Sequence, residues 1–264
     1  MERCDPCGCK KDKEQMGMIN VVGTGPGSVA NITPEALQCI QEADVVIGYA
    51  TYLDLITEYL ADKKVISSQM MQEVQRCTLA FEEAEAGASV AVVSGGDPGI
   101  YAMAGLIYEI AVERDSDVEI NVIPGLAALN SCAARLGAPL MHDFVAISLS
   151  DLLTPWEVIE KRLHAAASAD FVIAIYNPKS KRRASHIEKA RDIVAQYRPL
   201  TTPVGIVTAA TRDNEQIVVT TLADMLDQEI NMQSCVLIGN ESTYTWRNKM
   251  VTPRGYAGKY QLAK

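Results

Sequence analysis

The sequence predicts an α/β protein of two domains, with a mostly parallel sheet in the first and a mixed sheet in the second. Three observations carry that expectation. Short apolar runs such as 19–22, 90–93 and 171–176 end in small or polar clusters and give way to helical periodicity, the pattern of parallel strands joined by crossover helices. The chain has 264 residues, 48% of them hydrophobic, which is enough for two ordinary domains with real cores. Towards the C-terminus the alternation changes: strands at 216–221 and 235–239 have no full helix between them and can run antiparallel.

Taken in order, a strand at 19–22 is closed by Gly23-Thr24-Gly25-Pro26-Gly27. Thr33 is a good N-cap and Pro34 suits the first helical position, so a helix follows to about residue 42. Strands at 44–48 and 64–67 flank a helix at 53–60, and a longer helix covers 71–86. The strand at 90–93 enters Ser94-Gly95-Gly96-Asp97-Pro98-Gly99, and a helix is expected over 100–113. A strand at 118–123 ends at Pro124-Gly125, before a helix at 127–136. The connection Gly137-Ala138-Pro139-Leu140 is the expected boundary, giving a tail at 1–17 and domains at 18–138 and 139–264. Strands at 144–149, 171–176 and 204–208 then alternate with helices at 156–167 and 184–197.

Composition excludes some classes of function. No apolar run approaches the ~20 residues of a membrane span. Residues 1–17 are charged and cysteine-bearing, without the apolar centre of a signal peptide, so a cytoplasmic protein with no membrane partner is expected. A net charge of −9 argues against nucleic acid as a partner. It leaves room for an anionic small molecule, because a local basic cluster can override the sum.

Several motifs bear on chemistry. Cys39, Cys77, Cys132 and Cys235 lie in apolar periodic stretches and read as small core residues. Cys4, Cys7 and Cys9 form Cys-x-x-Cys-x-Cys, which suits a metal or iron–sulfur centre or else a plain solvated tail. Gly23-x-Gly25-x-Gly27 with Asp44 some way on invites a dinucleotide reading and hence a nucleotide-dependent oxidoreductase. Against it, Pro26 removes an N–H where a pyrophosphate needs donors, and Asp44 begins its strand instead of ending one. Asp97 can accept from a ligand amine or hydroxyl, or can simply cap the next helix. The run Lys179-Ser180-Lys181-Arg182-Arg183 places four cations at a helix N-terminus, against the macrodipole. A polycarboxylate or phosphate ligand would neutralise them, as would a solvated turn. The three histidines, His142, His164 and His186, have no zinc-site spacing. With so few acid–base groups, a pre-activated methyl donor suits the chain, since transfer then needs mainly alignment.

Four segments together carry a resemblance: Val21-Val22-Gly23-Thr24-Gly25-Pro26-Gly27, Ser94-Gly95-Gly96-Asp97-Pro98, Val122-Ile123-Pro124-Gly125 and Ile175-Tyr176-Asn177-Pro178. They resemble the S-adenosylmethionine-dependent tetrapyrrole methylases of cobalamin synthesis, over residues 18–256. Further wording, in Gly48-Tyr49-x-Thr51-Tyr52-Leu53, the 176–183 run, Thr208-Ala209-Ala210-Thr211-Arg212 and Gly239-Asn240-Glu241-Ser242, is similar to members acting at C-17 of precorrin-3B or its cobalt-bearing counterpart. The resemblance implies two α/β domains with the active cleft between them, a homodimer, and methylation at C-17 with ring contraction; a relative acting on another corrin carbon is the alternative. It also implies that the donor is held by Pro26, Gly95, Gly96, Asp97, Ile100, Tyr101, Ala127, Ala128, Leu149, Tyr176, Asn177, Thr208 and Ala209. Lys179, Lys181, Arg182, Arg183 and Arg212 are then partners for the carboxylate arms of the macrocycle. No general base is evident; His142, Asp143 and His186 are the groups considered. The cysteine tail lies outside what the resemblance requires, and a tetrapyrrole or metal carrier using it is the non-catalytic alternative.

Overall fold

The computed structural model describes residues 16–69, 71–180 and 183–262. The chain forms two compact units, one reaching to Gly25 and resuming over Val29–Gly125, the other made of Pro26–Ser28 and everything from Leu126.

The first unit holds β1 (Met18–Gly23), α1 (Pro34–Glu42), β2 (Val45–Tyr49), α2 (Ala50–Asp54), β3 (Lys64–Ser68), α3 (Glu73–Glu85), β4 (Ser89–Ser94), α4 (Ala104–Arg114) and β5 (Glu119–Ile123). Its five strands lie in the order β3-β2-β4-β1-β5, and every pairing is parallel. Alternate side chains leave opposite faces of a strand. Ile19, Val21, Val45, Ile47, Val90 and Val92 therefore pack with Phe81 of α3 and Ile107 of α4. Val22, Val46, Ala91 and Val93 pack on the other face with Ala36 and Ile40 of α1 and Leu53 of α2. Both faces are covered, which is why these strands read as continuous apolar runs. The Thr33 hydroxyl accepts from Ala36 N at 3.1 Å, and Pro34 opens α1, as the sequence predicts.

The second unit holds α5 (Ala128–Leu136), β6 (Gly137–Ala138), β7 (Phe144–Ser148), α6 (Trp156–Ser168), β8 (Val172–Tyr176), α7 (His186–Val194), β9 (Pro203–Thr208), β10 (Gln216–Thr221), β11 (Ser234–Ile238), β12 (Tyr244–Trp246) and β13 (Lys249–Val251). Its main sheet has the order β10-β9-β11-β8-β7. β7 and β8 are parallel, while β9 pairs antiparallel with both β10 and β11 and β11 antiparallel with β8. The mixed sheet expected from the sequence is present. One face packs on α6 and α7 through Ile159, Leu163, Ile173, Ile187, Ile206 and Val236. The other packs on α5 through Leu129, Cys132, Leu136, Val207, Cys235 and Leu237.

Three features differ from the sequence reading. The unit that contains α5 begins at Leu126, because α5 packs on β9 and β11; the sequence places the boundary after Ala138. Residues 100–103 are not helical, and α4 starts only at Ala104, whose N–H reaches Pro98 O at 2.9 Å. A small sheet of β12, β13 and β6 was not foreseen. Its hairpin turns at Arg247 and Asn248, with φ of 45° and 58°. Arginine in the first left-handed position hides the usual turn signature.

Cys77, Cys132 and Cys235 are buried and Cys39 is half-buried, all with free thiols. Burial pushes the Cys77 thiol up to about 12. The hydrogen bond with Cys132, then burial, push Cys235 up as well. These are packing residues, as expected. Among the described residues no helix is long and apolar enough to cross a membrane.

Gly205 on β9 is a sharp test of this packing. A methyl group there would fall 2.3 Å from Leu136 Cδ1, and Leu136 is wholly buried. Gly205→Ala is expected to lower stability by about 1–3 kcal/mol through overpacking, read from the midpoint of urea unfolding at unchanged slope.

Candidate functional site

In the first unit β1 lies between β4 and β5, so the carboxyl ends of three parallel strands are neighbours. Open α/β sheets bind ligands at that edge. Here the backbones lie in contact. Gly25 and Gly96 exchange hydrogen bonds, Gly25 N to Gly96 O at 3.1 Å and Gly96 N to Gly25 O at 2.7 Å. A Cβ on Gly23 would fall 2.6 Å from Gly125 N, and one on Gly125 would fall 2.2 Å from Gly96 O. No rotamer change relieves a clash with backbone, so only glycine fits. Asp97 braces the same edge: its Oδ1 accepts from Gly99 N at 2.9 Å and its Oδ2 from Gly125 N at 3.2 Å. It is therefore neither a free carboxylate nor a simple cap, but a tie between two strand-end loops. Ile100 and Tyr101 follow on the non-helical segment, 40% and 53% exposed as residues, and Tyr101 is left-handed at φ 53°. Gly95 lies under the ring of Tyr52 from the Gly48–Leu53 motif, which leaves 2.5 Å for any Cβ.

The glycine loop is unsuited to a pyrophosphate. Thr24 N donates to Ser94 O, Gly25 N to Gly96 O and Ser28 N to Thr211 Oγ1, and Pro26 has no N–H. A single 3-10 turn at Val29–Asn31 follows, and no α-helix starts until Pro34. Asp44 sits at the amino end of β2 and accepts from Ser89 N at 2.8 Å, far along the strand from any ribose at the carboxyl edge.

In the second unit the ends of β7, β8 and β9 share one edge. Tyr176 ends β8; its phenol oxygen accepts from Leu129 N at 2.9 Å and so holds the first turn of α5, next to Ala127 and Ala128. Asn177 is left-handed at φ 50° and donates from Nδ2 to Ser148 Oγ at 2.9 Å. Leu149 is wholly buried in the apolar cluster, and its N–H reaches Tyr176 O at 3.0 Å. Thr208 and Ser234 share a hydroxyl contact of 2.7 Å. Ala209 and Thr211 beyond them are left-handed, at φ 51° and 67°. Such conformations cost about 1–2 kcal/mol for a residue with a Cβ and persist where surroundings over-determine them.

What over-determines this turn is an ion pair. Arg135 Nε on α5 contacts Glu215 Oε1 at 3.0 Å and Oε2 at 2.8 Å, and Glu215 Oε2 accepts from Thr211 N at 2.6 Å. Partial burial pushes the Glu215 carboxyl up, but the Thr211 N–H and Arg135 outweigh it and hold it below its ordinary value. The turn then grips the loop at 26–28: Thr211 Oγ1 accepts from Ser28 N at 3.1 Å, and Arg212 Nε donates to Pro26 O at 3.2 Å.

The basic run divides. Lys179 is half-buried, and Lys181 and Arg182 lie outside the described residues. Arg183 turns inward, donating from Nε to Ser180 Oγ at 3.2 Å and approaching Asp151 Oδ1 at 3.9 Å. Asp151 also meets His186 Nε2 at 3.0 Å, and the His186 ring packs edge-on to Trp156. Partial burial pushes the Asp151 carboxyl up, but His186 and Arg183 prevail and hold it below its ordinary value. His142 and Asp143 precede β7, at its amino end, so the structure does not bring them to the ligand edge. Cys4, Cys7 and Cys9 lie outside the described residues, among which no three His, Cys, Asp or Glu side chains are grouped to hold a metal.

The sequence model of the Tetrapyrrole (Corrin/Porphyrin) Methylases matches residues 18–226. The chain belongs to this family. Among its curated relatives, the cobalt-factor III methyltransferase of Priestia megaterium is 53% identical over 250 residues, covering 93% of this chain and 46% of that one. This chain thus spans about half of that relative. The probable cobalt-factor III C(17)-methyltransferase of Salmonella typhimurium is 50% identical over 239 residues, covering 90% of this chain and 99% of that one. Among solved structures, the methyltransferase CobJ superposes with a TM-score of 0.86 at 36% identity, covering 90% of this chain and 100% of that one.

Two carboxylates of this tetrapyrrole methylase escaped the sequence reading, Asp151 and Glu215. Each works by bracing a strand-end loop across the fold, and neither lies in a motif. The spacing of Glu215 from the Thr208–Arg212 turn was the available signal.

Two outcomes follow. Asp97→Ala removes acceptors from two backbone N–H groups and is expected to cost about 1–3 kcal/mol, with faster amide exchange at Gly125; unchanged exchange there counts against the brace. Glu215, with its folded-state pKa depressed, contributes stability that is complete above its ordinary value and lost as pH falls through the depressed one. The acid limb of wild-type stability against pH is expected to be steeper than that of Glu215→Gln.

Proposed function

We propose that this methylase transfers a methyl group from S-adenosylmethionine to C-17 of a precorrin-3B-type tetrapyrrole with ring contraction, the cobalt-bearing substrate being preferred. The carrying observation is the 50% identity, over 99% of its length, to a relative named a probable cobalt-factor III C(17)-methyltransferase. The relative at 53% identity also carries the cobalt name. Methyl transfer is chemistry that needs alignment more than acid–base groups, in keeping with loops built from braced backbone.

The strand-end residues fit the donor. Bare backbone at Gly95 and Gly96 admits a close-lying ligand, and the exposed Ile100 and Tyr101 side chains offer apolar cover beside it. In the second unit Pro26, the first turn of α5 with Ala127 and Ala128, Tyr176, Asn177, Thr208 and Ala209 supply the adenosine-facing positions in this reading; Leu149 would act through its backbone, its side chain being buried. Bound S-adenosylmethionine supplies an electrophilic methyl group; the chain's own part is to hold donor and acceptor in line and exclude water. The acceptor's carboxylate arms are assigned to Lys179, Lys181, Arg182 and Arg212. Arg212 is anchored through Nε to Pro26 O, and the terminal nitrogens of a guanidinium suit a carboxylate fork. Arg183 is tied to Ser180 and Asp151. The two domains and the homodimer implied by the resemblance, and the cytoplasmic setting expected from composition, belong to the same proposal.

Calorimetry with S-adenosylhomocysteine and anaerobic single-turnover assays on cobalt-factor III and precorrin-3B test it. Binding, with methyl transfer faster on the cobalt substrate, is expected; a folded protein that binds no S-adenosylhomocysteine defeats the proposal. Arg212→Ala is expected to raise the tetrapyrrole KM about tenfold, the weight of one charged hydrogen-bonded pair, and an unaltered KM removes the carboxylate assignment. Light scattering checks the dimer.

A further inference from the structure

Nothing in the proposed chemistry assigns a role to Glu215, yet it stands at the head of a chain of contacts within the second unit. Its carboxylate joins Arg135, in the last turn of α5, to the N–H of Thr211. Thr211 in turn accepts from Ser28 N, and its neighbour Arg212 donates to Pro26 O. The stem of Arg212 lies against Gly27 so closely that a Cβ there would be 2.4 Å from Arg212 Cγ. The turn itself is held in a conformation that alanine and threonine do not prefer, with Ala209 at φ 51° and Thr211 at φ 67°. Remove the carboxylate and the turn loses the side-chain clamp on Thr211 N–H, while Arg135 loses this partner.

We infer that Glu215 is a positioning residue for the methyl donor, setting the 26–28 loop at a fixed height against α5 through Thr211 and Arg212. The inference rests on the functional reading above, in which Pro26 and the start of α5 both face the donor. Glu215 touches no ligand in this scheme. It acts by fixing two donor-facing segments of the second unit relative to each other, so its loss shows in donor affinity more than in the acceptor's KM, which Arg212 serves directly.

The test measures S-adenosylhomocysteine binding by calorimetry on the full chain, with donor and tetrapyrrole KM alongside. Glu215→Ala is expected to weaken S-adenosylhomocysteine about tenfold, the scale of one charge-assisted hydrogen bond, with a smaller rise in tetrapyrrole KM than Arg212→Ala gives. Thr211→Val, which keeps the branched shape and loses the acceptor for Ser28, is expected to reproduce the loss, and Thr211→Ser to restore binding. The double variant Glu215→Ala with Thr211→Val is expected to be no weaker than the worse single variant, because both act through one contact chain. Glu215→Gln, which retains an acceptor for Thr211 but no charge for Arg135, should fall between wild type and Glu215→Ala and serves if the alanine variant fails to fold. Unchanged affinity in folded Glu215→Ala or Glu215→Gln overturns the inference, as does additive loss in the double variant. If wild type itself does not bind S-adenosylhomocysteine, the functional reading and this inference fall together.

Discussion

The contact of three strand ends without side chains is the constraint on which the first unit depends. Gly23, Gly96 and Gly125 come from the ends of three adjacent strands, and their backbones approach closer than any Cβ allows. That approach is possible only because β1 sits between β4 and β5 and all run the same way. The close packing has a chemical consequence. The edge of the sheet is sealed by backbone hydrogen bonds between Gly25 and Gly96, so what faces a ligand is a rigid peptide surface and not a set of mobile side chains. Asp97 then locks the third strand end to the second through Gly125 N. A reaction that depends on alignment is well served by a floor with few degrees of freedom.

The second unit reaches a similar rigidity by other means. Its strand ends carry side chains, and left-handed residues at Asn177, Ala209 and Thr211 take the place of glycines. Left-handed backbone with a Cβ needs external support. That support is polar: Ser148 for Asn177, Glu215 and Arg135 for Thr211, and Asp151 with His186 and Arg183 for the basic loop. The unit therefore spends its buried and half-buried charges on loop geometry, which explains why Arg183 and His186 face inward although their positions in the sequence suggest ligand contact.

Most strands were legible because both faces of each sheet are covered, so apolar runs are continuous and their ends are marked by glycine, proline or asparagine. The helix α1 was legible from Thr33 and Pro34 alone. What escaped depends on partners distant in sequence. The β12–β13 hairpin has three-residue strands with exposed Tyr244 and Trp246, so no alternation marks it. Residues 100–103 carry a helical pattern, but the turn at Asp97–Gly99 delays the helix by ending in a carboxylate–N–H bond. On the site, the strand-end motifs are legible as breaks after apolar runs, whereas the bracing by Glu215 and Asp151 depends on Arg135, Arg183 and His186, tens of residues away, with the spacing of Glu215 from Thr211 the one local signal. His142 and Asp143 could have been set aside from strand direction alone, since they precede β7.

The glycine-rich loop after β1 shows why a motif needs its surroundings. Its spacing matches a dinucleotide fingerprint, in which amide donors and a following helix N-terminus receive a pyrophosphate. Here Thr24 and Gly25 direct their N–H groups to the neighbouring strand end, Ser28 directs its own to Thr211, and Pro26 has none. With those donors spent on protein acceptors and the first α-helix postponed to Pro34, these amides are not turned to an anion. The same glycines that would admit a pyrophosphate have been used to let three strand ends touch, and that use of the backbone, not the spacing, separates this loop from a dinucleotide site.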